Sequence, residues 1–243
     1  MKIGTIMTAA LVVLAAGCAS RKHFVGDSDR MADLTIIDTT RTVTRANAED
    51  ILRSYMMEFS IPNPLVAAGG GVTSAANDPS HESTITCRAV LFDDHSTEAD
   101  IYFNCPADSL DDGCAAFRAA YMEQRVREGM FRIMIAMESG FSDKSMEPDL
   151  WTFYLETPGG VMLEPSDTVA TPVMAVDDSI YSEYYRRSVG RQVNTRNITF
   201  YFPQETFFGE DLLTGDTPYL VFVISRDRRT IARLAWKLRN PED

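Results

Sequence analysis

The chain has 243 residues, and 35 Asp and Glu stand against 23 Lys and Arg, a formal charge of −12. An acid excess of that size repels polyanions and argues against nucleic acid as a partner. Its 45% hydrophobic and 10% aromatic content is that of an ordinary globular protein, long enough to bury a core without a metal.

The first segment, MKIGTIMTAALVVLAAGC, joins a charged head at Lys2 to an uncharged run from Ile3 to Ala16 and then to Ala15-Ala16-Gly17-Cys18. A positive start, a short apolar run and small residues before a cleavage point are the parts of a secretory signal. The run is about 14 residues, against the roughly 20 that a membrane-spanning helix needs. With a cysteine directly after the small residues, the segment resembles the signal peptide and lipobox of a bacterial lipoprotein. Ala15 stands where leucine is the commoner residue. The resemblance implies that 1–17 is removed and that Cys18 becomes an acylated first residue, palmitate among its chains, held in the bilayer; two or more acyl chains hold firmly where one does not. Ala19 is compatible with the outer membrane. Residues 18–44 then read as a polar tether with one apolar island, Leu34 to Ile37, which is either part of the spacer or an edge strand.

Asn47 to Phe59 predicts a helix, capped by Asn47 with Asp50 three places on, with Ile51, Leu52, Tyr55, Met56 and Phe59 on one face. Pro62 and Pro64 end it. Residues 67–80, rich in Gly, read as a loop, since no Lys-Ser/Thr follows as a phosphate-cradling loop requires. Thr84–Leu91 and Ala99–Cys105 read as strands joined by a turn at Asp93, Asp94 and His95. A second helix is expected from Asp111 or Asp112 to about Arg127, with Ala115, Ala119, Met122 and Val126 buried.

Beyond Gly129 the period changes to two. Phe131, Ile133, Ile135 and Met137 recur at every second position, as do Trp151, Phe153 and Leu155 with Thr152 and Glu156 among the positions between. Pro158-Gly159-Gly160 makes 151–164 a hairpin, and 169–176 is a further strand. Ile198, Phe200 and Phe202 alternate again. Tyr219 to Ile224 is continuously apolar, as for a strand covered on both faces. The charged turn 226–229 leads into a last strand carrying Leu234, Trp236 and Leu238. The expected fold is mainly β within the α+β class: an immunoglobulin-like antiparallel β-sandwich over 130–243, preceded by two helices and a hairpin over 45–129 that pack on it.

Four cysteines are present. With Cys18 lipidated, one disulfide and one free thiol is the simplest arrangement among Cys87, Cys105 and Cys114. Cys87 and Cys105 lie on successive strand-like segments; the turn-forming loop PADSLDDG favours Cys105–Cys114.

No motif announces catalysis. His81-Glu82 lacks the second histidine of a zinc-protease helix, and no Gly-x-Ser-x-Gly elbow exists. His95 beside Asp93 and Asp94 reads as a polar turn before a metal site. The acidic pairs 111–112, 177–178 and 210–211, and Glu147 with Asp149, lack a calcium-loop pattern and read as solvated loops. Neither a cofactor nor a metal is expected. Tyr181, Tyr184 and Tyr185, beside Arg186 and Arg187, and Phe207-Phe208 are contact material for a partner or pegs that seal a sandwich end. Arg226, Arg228, Arg229, Arg233, Lys237 and Arg239 make the C-terminal hairpin basic. Anionic lipid or an acidic partner would explain that; protection of an edge strand is the simpler account. The expectation is a non-enzymatic envelope lipoprotein acting on an envelope protein by contact, with a small-ligand or glycan module as the alternative and a hydrolase behind it.

Overall fold

The computed structural model describes residues 33–64, 84–105, 112–140, 143–156, 162–182, 187–205, 209, 211–212 and 219–238. They form eleven strands and three α-helices, in the order β1 (Asp33–Ile37), α1 (Ala48–Tyr55), β2 (Met56–Pro62), β3 (Thr84–Phe92), α2 (Asp94–Asn104), α3 (Asp112–Arg125), β4 (Met130–Ser139), β5 (Thr152–Glu156), β6 (Met162–Leu163), β7 (Asp167–Ala170), β8 (Met174–Ser182), β9 (Arg187–Pro203), β10 (Leu220–Arg226) and β11 (Arg229–Leu238). Two short 3₁₀ turns lie between β4 and β5.

Two sheets result. The first runs β1-β11-β10-β5-β6; the second runs β2-β3-β4-β9-β7, with β8 pairing the outer part of β9. Every pairing is antiparallel except β1 with β11. The sheets meet through aromatic rings. Phe153 of β5 and Phe222 of β10 face Phe200 and Phe202 of β9, with Phe153–Phe200 centroids 4.4 Å apart and Phe200–Phe222 centroids 5.6 Å apart. That spacing is within the range aromatic pairs prefer. The shared core then extends through Ile133 and Ile135 of β4, Ile85 and Leu91 of β3, and Leu234 and Trp236 of β11. The molecule is thus mainly β, a two-sheet sandwich with helices.

The pattern-based strands from β4 onward lie close to where they are expected, including the hairpin β5–β6 and the fully buried run Leu220–Ile224. The expected strand 169–176 is instead two, β7 and β8, divided by Thr171-Pro172-Val173. The N-terminal half differs more. The apolar island Leu34–Ile37 is an edge strand, paired in parallel with β11 and burying Ile37. The expected helix 47–59 stops at Tyr55, and Met56 starts β2 in the extended conformation. Met57 and Ile61 are buried at strand spacing, and β2 pairs with β3 at seven successive positions. That pairing outweighs helix continuation. The Tyr55 carbonyl, freed at the helix end, accepts a 2.8 Å hydrogen bond from the Trp236 indole of β11.

Asn47 does not cap α1 with its side chain; it accepts from the Thr44 amide and donates to the Thr42 carbonyl, shaping the turn before the helix. The strand expected at 99–105 is helix α2. Its signal is a capping box at the supposed turn: the Asp93 carboxylate accepts from the Ser96 amide (2.8 Å) and the Ser96 hydroxyl accepts from the Asp93 amide (2.9 Å). The α3 stripe also differs. Ala115 and Ala119 are exposed, and Tyr121 is the buried residue, with Phe117 one turn before it. Residues on both sides of 129/130 share one sheet, since β2 and β3 of the 45–129 segment pair onward to β4.

Candidate functional site

Three clusters have the chemistry or exposure to act. The first surrounds His95. Its Nε2 donates to the Arg41 carbonyl at 2.7 Å, and its Nδ1 lies 3.0 Å from the Tyr55 hydroxyl, which is 3.1 Å from Asp93 Oδ2. Beside it is a cavity of about 420 Å³ with Asp93, Asp94, His95 and Asp211 on its walls and the apolar Leu91 and Phe131 in its lining. The His-carboxylate convergence that an enzyme would need is therefore present in outline. The groups are already occupied, however. The two ring nitrogens of His95 tie the β1–α1 connection and the last residue of α1 to α2, and Asp93 is a helix cap. Burial first, and the Asp93 charge second, push the Tyr55 phenol far above its ordinary range, so it stays a neutral hydroxyl. Among the described residues no group of three or more His, Cys, Asp or Glu side chains is placed to hold a metal.

The second cluster is a buried ionic network joining α2 and α3 to β4. Arg132 and Asp100 are both buried, Nη2 to Oδ2 3.7 Å. The Tyr121 hydroxyl sits between them, donating to Asp100 Oδ2 and accepting from Arg132 Nη2. Asn104 donates to Asp100 Oδ1 at 2.7 Å, Arg132 Nη1 donates to the Arg125 carbonyl at 3.1 Å, and the guanidinium lies 4.2 Å from the Phe92 ring centroid. Every charge here meets a protein partner, so the network fastens the helices. Its sequence signal is hidden, because 99–105 has the pattern of a strand and Asp100 lies within it.

The third is the outer face of the first sheet. One row crosses all five strands: Leu34–Ala235–Val221–Glu156–Met162. On the next row Arg233 and Tyr154 flank Val223. Val221, Val223 and Ala235 are buried although they point away from the core between the sheets, and they form a small cluster of their own with Tyr154. Part of their cover is an ion pair: Arg233 Nη2 reaches Glu156 Oε2 at 2.7 Å, which carries it across β10 from one neighbouring strand to the other. At the β1 edge this face ends in Leu34 and Ile36, 53% and 56% exposed. Two large apolar side chains thus lie side by side and half exposed on one edge strand, where they can serve as contact material.

The residues singled out in the sequence fall as follows. Cys105, at the end of α2, and Cys114, in the first turn of α3, are joined by a disulfide with Cα atoms 5.6 Å apart, while Cys87 is a buried free thiol in β3. Tyr181 is in β8, with its side chain outside the described set; Cys18, Tyr184, Tyr185, Phe207, Phe208 and Arg239 lie outside the described residues. Among the described residues no helix is long and apolar enough to cross a membrane. No protein-family model, no curated protein and no solved structure matches the chain.

Proposed function

We propose that this is a lipid-anchored protein of the bacterial cell envelope, held by acylated Cys18, in the outer membrane rather than the inner, and that it works by touching another envelope protein rather than by catalysis. The observation that carries the contact reading is the exposed Leu34–Ile36 pair on β1, the strand into which the tether leads. From Cys18 to Asp33 is fifteen residues, at most about 50 Å when fully extended, so β1 is the first described strand the anchor leads into. Covering the exposed halves of Leu34 and Ile36 would contribute about 2 kcal/mol to an association. The engagement of His95, Asp93 and Tyr55 in holding the fold supports a non-enzymatic role. We also read the sandwich as immunoglobulin-like, on the parallel pairing of its first strand with its last at one sheet edge and on the aromatic layer between the sheets.

The test has two parts. Cys18→Ser should move the protein from the membrane to the soluble fraction; persistence in the membrane refutes the anchor. A photo-crosslinking side chain at position 34 should give one discrete protein adduct in native membranes, lost with Ile36→Asp. No adduct, or one indifferent to Ile36→Asp, refutes this contact face.

A further inference from the structure

The simplest explanation of the basic C-terminal hairpin covers only part of it. Edge protection accounts for charges on an edge strand, and β1 pairs with β11 only over Leu234–Leu238, which leaves 229–233 on an open edge among the described residues; it gives no reason to set two arginines opposite each other. Arg233 is accounted for by Glu156. The arginines at the turn are not.

Three local features there run against stability, and they converge. Arg226 and Arg229 sit directly opposite each other in the β10–β11 register, a like-charged cross-strand pair that repels. The two-residue turn between them places Asp227 at φ 51° and Arg228 at φ 65°. Both residues of such a turn need positive φ, a requirement Asn-Gly meets at least cost and arginine meets poorly. Beside the turn, Trp151 is only 7% exposed, and its indole N–H is buried with no hydrogen-bond partner among the described residues. Where several local choices conflict with folding at one point, a function is the usual reason.

The same residues enclose space. A cleft of about 570 Å³ opens at this end of the sandwich, walled by Pro62 and Pro64 at the end of β2, Trp151 before β5, and Arg226, Arg229 and Ile231 of the hairpin. That volume is within the range of small-ligand sites. The one acid on the wall, Asp227, is 85% exposed, and its contact with Arg226 is 3.6 Å; an ion pair so exposed is worth little and leaves Arg226 available. Arg229 makes no ion pair among the described residues. Arg226 also lies 5.8 Å from the Trp151 ring, which fixes it against an apolar wall.

We propose that this cleft binds a phosphate group. An anion between Arg226 and Arg229 turns their repulsion into a clamp, since guanidinium forks match phosphate oxygens in pairs. Trp151, Pro62, Pro64 and Ile231 take the apolar or ring portion next to the phosphate. The group belongs either to a small phosphorylated molecule or to a phospholipid headgroup; the chemistry recognised is the same, and the site does not depend on the contact reading of β1.

The test is calorimetry on the full chain in neutral detergent micelles at low salt, with two probes: glycerol phosphate in solution, and phosphatidylglycerol doped into the micelles. Saturable binding of glycerol phosphate, weakened at least tenfold by Arg229→Glu and several-fold by Trp151→Phe, supports the site and assigns it to a soluble ligand. Binding of doped micelles alone, with the same losses, supports it and assigns it to a headgroup. Position 229 is exposed, so Arg229→Glu leaves the fold intact; unchanged circular dichroism verifies this. No binding of either probe, or binding indifferent to Arg229→Glu, overturns the proposal.

Discussion

Replacing Arg132 by Ala is the sharpest test of how the helices are attached. Arg132 holds Asp100 through the Tyr121 hydroxyl and directly at 3.7 Å, donates to the Arg125 carbonyl and covers the Phe92 ring. Its removal strands a buried carboxylate, which costs about 3–5 kcal/mol in comparable pairs. Two effects reduce this. Asp100 keeps the donors Asn104 and Tyr121, and Arg132 Nε is itself buried without a partner in the folded chain, so deleting it relieves a penalty of about 1 kcal/mol. The expected net loss is about 2–4 kcal/mol. For a chain of this size that lowers the melting temperature by roughly 4–16 °C. Tyr121→Phe removes only the bridging hydroxyl and should cost about 1–3 kcal/mol. Because both act on one network, the double variant should cost less than the sum of the singles, by at least about 0.5 kcal/mol. Urea unfolding followed by circular dichroism gives the three values. A loss below about 1 kcal/mol for Arg132→Ala, or strict additivity, refutes the network as the fastening of α2 and α3.

Three further outcomes follow from the same geometry. The Cys105–Cys114 bridge closes a short loop, with a sequence separation of 9, so its reduction should cost about 2–3 kcal/mol in urea midpoint experiments; Cys87, whose thiol burial pushes up to about 12, should stay unreactive to maleimide at pH 8 until the chain unfolds. Tyr121 is likewise raised to about 12, by burial first and the Asp100 charge against the pull of Arg132. A raised folded value means the stabilisation is full below the unfolded pKa, near 10 for tyrosine, and is lost as pH climbs toward 12; thermal melts from pH 9 to 12 should show that fall, shallower in Tyr121→Phe. Finally, Asp227→Asn with Arg228→Gly should raise stability by about 1 kcal/mol, since both positions have positive φ; an unchanged or lower urea midpoint would show that the turn carries no strain.

Legibility in the sequence depended on whether a segment's partners were near it in the chain. From Met130 onward, alternation of period two marks one buried face, and that face is decided by residues the pattern itself contains. Before residue 130 the deciding partners are remote. Whether 56–62 is helix or strand turns on pairing with β3 more than twenty residues on, and on Trp236 taking up the Tyr55 carbonyl 181 residues away. The helix at 94–104 had a local signal, the Asp93–Ser96 capping box, but Ser in place of Glu or Gln weakened it and the Ile101-Tyr102-Phe103 run reads equally as strand. In the His95 region the residues were visible as a group and their state was not, because the groups that occupy them are the Arg41 carbonyl and the Tyr55 hydroxyl.

The C-terminal arginines show how topology changes the meaning of a charge pattern. In sequence, Arg226 to Arg239 is one basic hairpin, with edge protection as its simpler account and an anionic lipid surface or an acidic partner as the other. The parallel addition of β1 covers β11 over Leu234–Leu238, leaves 229–233 at the edge, and so divides the pattern. Arg233 becomes a tie laid over Val221 and Val223 to Glu156, where its neutralisation stabilises a small apolar cluster. Arg226 and Arg229 are left facing each other at the turn, with unfavourable dihedrals between them and only the exposed Asp227, 3.6 Å from Arg226, to offset their repulsion among the described residues. A chain with many acids to spare has no electrostatic need to leave that repulsion in place. Exchange of Arg229 for Glu would pair it with Arg226 and favour the fold. The arginine is therefore a choice against stability, and anion binding in the cleft beside it is the reading that accounts for that choice.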